Sequence, residues 1–156
     1  MMHNWFLCKI KYEKTLENGL NKTVAESYLV DALSHTEAEA RIIEEMKPYM
    51  SGEFTVAGIV PAKYSELFYS DDTMADRWYK CRLAFITLDE RTGAEKKTTT
   101  NVLVQATDIR NAIKQLDEGM KGSMADYVIL SVAETPIMDV YPYEANPDVK
   151  PEFPDK

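Results

Sequence analysis

Two stretches decide the fold: Trp5-Phe6-Leu7-Cys8-Lys9-Ile10-Lys11-Tyr12 and Trp78-Tyr79-Lys80-Cys81-Arg82-Leu83-Ala84-Phe85. In an extended chain successive side chains point to opposite faces, so residues two apart share one. Phe6, Cys8, Ile10 and Tyr12 then line an apolar face of the first stretch, and Tyr79, Cys81, Leu83 and Phe85 that of the second. The opposite faces carry Trp5, Leu7, Lys9 and Lys11, and Trp78, Lys80, Arg82 and Ala84. A period of two with one apolar side predicts a half-buried strand in each place.

The likeness extends outward. A shift of 73 places Trp5 on Trp78, Cys8 on Cys81 and Lys9 on Arg82. One added residue changes the shift to 74, which places Gly19 on Gly93, Leu29 on Leu103, Val30 on Val104, Ala38 on Ala112 and Met46 on Met120. Ten identities fall among the 42 pairs from Gly19 to Val60, where unrelated stretches of average composition share about two or three. A tandem duplication accounts for the excess.

Each copy reads alike. A charged turn with glycine follows the first strand (Glu17-Asn18-Gly19, Arg91-Thr92-Gly93), and a second strand runs through Val24–Val30 or Thr98–Val104. Ser34 or Thr36, and Asp108, can each cap a helix by accepting its orphan N–H bonds. Ala38, Ile42, Ile43, Met46 and Met50 form the apolar stripe of the first helix, and Ile109, Ala112, Ile113, Leu116 and Met120 that of the second. Pro48 and Gly122 end them. A last extended stretch follows, Phe54–Val60 or Tyr127–Val132, with Pro61 or Pro136 before a short apolar piece.

The expected fold class is therefore α+β: a duplicated ββαβ unit, antiparallel sheet or sheets, and one helix per repeat on one face. The first repeat is expected over 4–69 and the second over 78–142, with a linker at 70–77 holding a short helical turn. Residues 143–156 read as a Pro-rich acidic tail, extended or disordered.

The chain has 156 residues, 45% of them hydrophobic and 28% charged, enough for one ordinary domain or two small ones. Few Gly, Pro and Cys residues exclude collagen-like and disulfide-scaffold classes. No secretory leader and no run of about 18 apolar residues is present, so a cytoplasmic protein without a membrane span is expected. Net charge of −8 disfavours non-specific duplex binding unless cations gather on one face. Cys8 and Cys81, each among apolar neighbours, read as buried, reduced thiols.

Trp5-x-x-Cys8-Lys9-Ile10, Tyr28-Leu29-Val30-Asp31-Ala32, Thr36-Glu37-Ala38-Glu39-Ala40-Arg41, Gly52-Glu53-Phe54-Thr55-Val56, Glu95-Lys96-Lys97 and Met124-Ala125-Asp126-Tyr127 carry a resemblance. With them the chain resembles an uncharacterised domain-of-unknown-function family of gut Bacteroidetes and their phages, from about Asn4 to Tyr143. The resemblance implies no activity and no functional residue.

The residues themselves offer little catalytic chemistry. No phosphate-binding loop, dinucleotide fingerprint, His-Glu-x-x-His or nucleophile elbow occurs, so no cofactor is expected. His3 and His35 have no further ligand at zinc spacing. A Cys8–His35 nucleophile pair conflicts with a buried thiol, because desolvation disfavours the thiolate. Glu37, Glu39, Glu44 and Glu45 read as a solvated helix face, and Asp71, Asp72 and Asp76 lack EF-hand spacing.

The sharper feature is the face that pairs tryptophan with cations twice: Trp5, Lys9 and Lys11, then Trp78, Lys80 and Arg82. Rings stack on unpaired bases while Lys and Arg track phosphates, so this face is a candidate platform for single-stranded nucleic acid. Against that stands packing of both indoles, whose large apolar area favours burial. Phe153, in the tail, is a candidate docking residue. The function expected is a non-enzymatic binding or assembly module, acting through sheet surface or hairpins on a protein partner or a second copy. The alternatives are single-stranded nucleic-acid binding on the Trp/Lys/Arg face, and an enzyme with a site between the repeats.

Overall fold

The computed structural model describes residues 4–50, 52–123 and 126–142. The tail expected at 143–156, with Phe153, lies outside them, as does His3. The chain is an α+β protein with two four-stranded, mainly antiparallel sheets and two helices. In order these are β1 (Trp5–Thr15), β2 (Asn21–Asp31), α1 (His35–Met46), a 3-10 turn (Lys47–Tyr49), β3 (Phe54–Ala62) and β4 (Glu66–Phe68). The same order then recurs: β5 (Arg77–Leu88), β6 (Glu95–Ala106), α2 (Ile109–Gly119), β7 (Asp126–Glu134) and β8 (Ile137–Tyr141).

The chain divides into two compact units, Met1–Ala62 with Asp139–Lys156, and Lys63–Met138. Their boundaries differ from the spans 4–69 and 78–142 expected from the sequence, because β4 and β8 pair away from the sheet of the strand that precedes each. One sheet runs β3-β1-β2-β8 and the other β4-β6-β5-β7. β4, which follows β3 in the chain, lies parallel to β6, with Glu66 opposite Val102 and Phe68 opposite Val104. β8, which follows β7, closes the first sheet beside β2. Each sheet is thus completed by a short strand that follows, in the chain, a strand of the other sheet.

The first unit is built on the β1–β2 hairpin, with Cys8 opposite Tyr28 and Tyr12 opposite Val24. Gly19 takes the left-handed φ of +85° that closes its turn. Cys8, Ile10, Tyr28 and Val30 on the sheet pack with Ala38, Ile42 and Met46 on α1, the expected strand face and helix stripe. Ser34 Oγ accepts the Glu37 N–H at 3.1 Å, and Glu37 Oε1 accepts the Leu33 N–H at 2.7 Å. Arg41, half-buried, donates to the carbonyls of Asp31 and Pro142, tying α1 to the ends of β2 and β8.

The second unit repeats this plan. Its hairpin sets Cys81 opposite Val102 and Phe85 opposite Thr98. The connection Asp89–Ala94 is one residue longer than Leu16–Leu20, which is the residue that changes the sequence shift from 73 to 74. Asp108 Oδ1 accepts the Asn111 N–H at 2.8 Å, and Asn111 Oδ1 accepts the Thr107 N–H at 3.0 Å, the same reciprocal cap as in α1. Ala112 and Leu116 are buried, but Ile109 and Ile113 are 48% and 38% exposed. The stripe buried on α2 is narrower than its spacing implied: Ala112 and Leu116 carry it, with Met120 partly buried against the sheet core, while Ile109 and Ile113 flank it in contact with solvent. At the third strand of each unit the shift returns to 73: Phe54 faces Tyr12 as Tyr127 faces Phe85. A register irregularity falls at Lys9/Ile10 in one and at Arg82/Leu83 in the other. Residues 70–76 hold one turn, closed by the Ala75 N–H on the Asp72 carbonyl at 3.0 Å.

Candidate functional site

The expected face of tryptophans and cations separates into two parts. Trp5 and Trp78 are only 4% and 2% exposed, so neither indole offers a ring to a base. Trp78 meets Tyr69 edge-on at 5.5 Å, and its carbonyl accepts both the N–H and the hydroxyl of Thr135. The stacking alternative at these positions is corrected on that ground, in favour of the packing weighed against it: both indoles lie within the first two residues of their strands, beside Asp31 or Gln105, with the apolar surface of the ring removed from water.

Lys9, Lys11, Lys80 and Arg82 are all exposed. They stand on the central strands β1 and β5, on the faces turned from the helices. Their cross-strand neighbours are mostly short: Ser27 and Gly58 flank Lys9, Ala25 and Thr55 flank Lys11, and Asn101 and Ser131 flank Arg82. None of the four forms an ion pair among the described residues; the cations that do include Lys47, Arg77 and Lys121. Two residues along a strand span roughly 6.5–7 Å, so each sheet presents two unpaired charges at that interval.

The candidate nucleophiles are quiet. Cys8 and Cys81 are fully buried free thiols, and burial pushes both up from the ordinary 9.0 to about 11. Cys8 Sγ lies 3.9 Å from the Phe6 carbonyl, while His35 packs edge-on to the Phe6 ring. Among the described residues no three His, Cys, Asp or Glu side chains converge as a metal site. Asp72 orders its own loop, accepting the Met74 N–H at 2.8 Å.

A feature that the sequence reading missed lies in the second unit. Between the sheet and the end of α2 a cleft of about 570 Å³ opens, with Phe68, Phe85, Val102 and Met120 as its apolar wall. Thr98 and Thr100 of β6 line it too, with Glu66 and Lys121 among its rim residues. Phe68 is pressed against the helix end: a Cβ on Gly119 would stand 2.7 Å from its ring, so glycine is what lets the ring approach. The signal was present in the alignment of the two halves, where the positions matching Tyr28 and Glu26 are the smaller Val102 and Thr100.

Comparison with known proteins adds one match: the family model described as "Domain of unknown function (DUF4494)" covers residues 4–143. No curated protein matches the chain. No helix among the described residues is long and apolar enough to cross a membrane.

Proposed function

The chain belongs to the DUF4494 family, and we propose that it is a non-enzymatic binding module whose partner surface is the pair of basic rows, Lys9 with Lys11 and Lys80 with Arg82. The observation that carries this reading is that exposed cations with no ion pair among the described residues stand two residues apart on each of two central strands, Lys9 and Arg82 at matching positions, in a chain of net charge −8. Cations that form no ion pair among the described residues, in a chain where acids outnumber bases 26 to 18, are available to an outside anion. The partner that fits is a protein segment presenting carboxylates, because i and i+2 residues of an extended acidic strand repeat at the same interval as the cations. We further infer that the two halves arose by duplication of a ββαβ unit, which accounts for their shared registers and caps. The free, buried thiols support a reducing, cytoplasmic setting.

The same cations favour a second reading, single-stranded nucleic acid held by its phosphates alone. Titrating 15N-labelled protein separately with poly-L-glutamate and with mixed-sequence single-stranded DNA, at low and near-physiological salt, separates the two. Saturable shifts at Lys80 and Arg82 with poly-L-glutamate, lost in the K80E/R82E variant, are expected. Preference for DNA selects the second reading, and there the buried indoles should show little fluorescence quenching. Absence of binding to either polymer at low salt removes both.

A further inference from the structure

We propose that the cleft of the second unit is a binding site for a small neutral phenol, held against Phe68, Phe85 and Val102 with its hydroxyl on Thr100. The proposal is independent of the basic rows, which lie on the opposite face of the sheet.

The first unit shows what belongs in this space. The hairpins share one register, so Tyr28, opposite Cys8, matches Val102, opposite Cys81. By the same register Glu26, opposite Ile10, matches Thr100, opposite Leu83, and Tyr12 matches Phe85. In the first unit these positions form a closed cluster. The hydroxyls of Tyr12 and Tyr28 donate to the Glu26 carboxylate at 3.1 and 2.8 Å, and Tyr141 of the edge strand stacks on Tyr28 at 6.1 Å. Phe68 holds the corresponding place in the second unit, a half-buried edge-strand aromatic packed on the helix-side core.

At Val102 the second unit lacks the phenol ring of Tyr28, and at Thr100 it has a shorter side chain than the Glu26 that accepts the hydroxyl. A cleft stands open there. An opening in the first unit, about 320 Å³, lies further along β1 beside Tyr12, Glu13, Tyr49 and Glu53, and its lining includes neither Tyr28 nor Glu26. The open cleft therefore matches the place of a side chain that the other half supplies for itself.

Its chemistry selects the same occupant. The apolar wall offers two rings, Phe68 and Phe85, to an aromatic guest, and aromatic pairs gain beyond the area that they bury. Neither Thr98 nor Thr100 uses its hydroxyl in a side-chain hydrogen bond among the described residues, so both are available to a phenol, which both donates and accepts. Glu66 and Lys121 bring opposite charges to the mouth, and Lys121 already pairs with Glu118 at 3.0 Å. The lining thus has no net charge to select an ion. A volume of about 570 Å³ is within the roughly 300–1,000 Å³ of small-molecule sites.

The test uses the full chain and p-cresol as probe, followed by 15N and methyl chemical shifts, with toluene as the matched ligand lacking the hydroxyl. Saturable binding with a Kd of about 1 mM or tighter is expected for so small a ligand, with shifts at Phe68, Val102 and Gly119. The T100E/V102Y variant installs the first unit's side chains, and it should weaken p-cresol binding by more than about tenfold. Should that variant fail to fold, T100V keeps the side-chain size and should weaken p-cresol about five- to tenfold while leaving toluene unchanged. No saturable p-cresol binding to the folded wild-type chain overturns the site. Equal affinity for toluene, or undiminished binding in both variants, overturns the phenol assignment.

Discussion

The two cysteines illustrate how burial sets the chemistry of a single residue. Each sits on the helix-side face of a central strand and is fully excluded from water, and desolvation alone pushes its pKa up to about 11. At pH 8 a thiol with that pKa is ionised in about one molecule in a thousand. A disulfide-exchange reagent should therefore modify the native protein at least about a hundredfold more slowly than the chain in urea. Rapid, stoichiometric labelling of the folded protein at pH 8 contradicts this. The linkage follows with its sign: the folded pKa is raised, so the contribution to stability is complete below the unfolded value near 9 and is lost as pH rises through about 11. Tyr28 and Tyr141, whose pKa values are raised first by desolvation, act in the same direction at higher pH. The urea midpoint should fall steadily between about pH 9 and 11. The buried indoles are the counter-example in the sequence reading: Trp5 and Trp78 were correctly placed on strands with cations, but their exposure was not legible. Alternation says which face a ring occupies, never what lies over that face.

At the scale of elements, the helices are specified by their first residues more than by their length. Twelve and eleven residues are too few to hold a helix in water by propensity alone. Each is instead anchored by a reciprocal cap, Ser34 with Glu37 and Asp108 with Asn111, and by an apolar stripe on its sheet. Ser34→Ala and Asp108→Ala should each cost about 0.5–2 kcal/mol, measured by urea denaturation. Loss of the cap leaves orphan N–H groups that water serves less well. A change within about 0.2 kcal/mol at both positions would mean that tertiary packing alone holds the helix ends. Both caps were legible, since Ser or Asp ahead of an apolar period is a local signal. The exposure of Ile109 and Ile113 was not, because the seat of a helix depends on which sheet side chains meet it.

The whole molecule is governed by a topology that no local signal carries. The short strand that follows β3 and the one that follows β7 each join the other sheet, β4 beside β6 and β8 beside β2. A chain ended after Pro136 removes β8 together with the anchor that Arg41 makes on the Pro142 carbonyl. Amide exchange in β2 should then accelerate by more than about tenfold, while β5 and β6, which keep every neighbour in their sheet, change little. Equal protection of both sheets in the shortened chain contradicts this account.

The sequence by itself determined the strands, both caps, the two buried free cysteines and the recurring order of elements. Each rests on neighbours close in the chain: alternation, 3–4 spacing, a capping oxygen within one turn. Only the tertiary structure decided that the tryptophans are enclosed, that the edge strands are exchanged, and that a cleft opens at Val102 where Tyr28 fills the first unit. Those depend on which distant surfaces meet, because burial and cavities are properties of packed volumes rather than of sequence intervals.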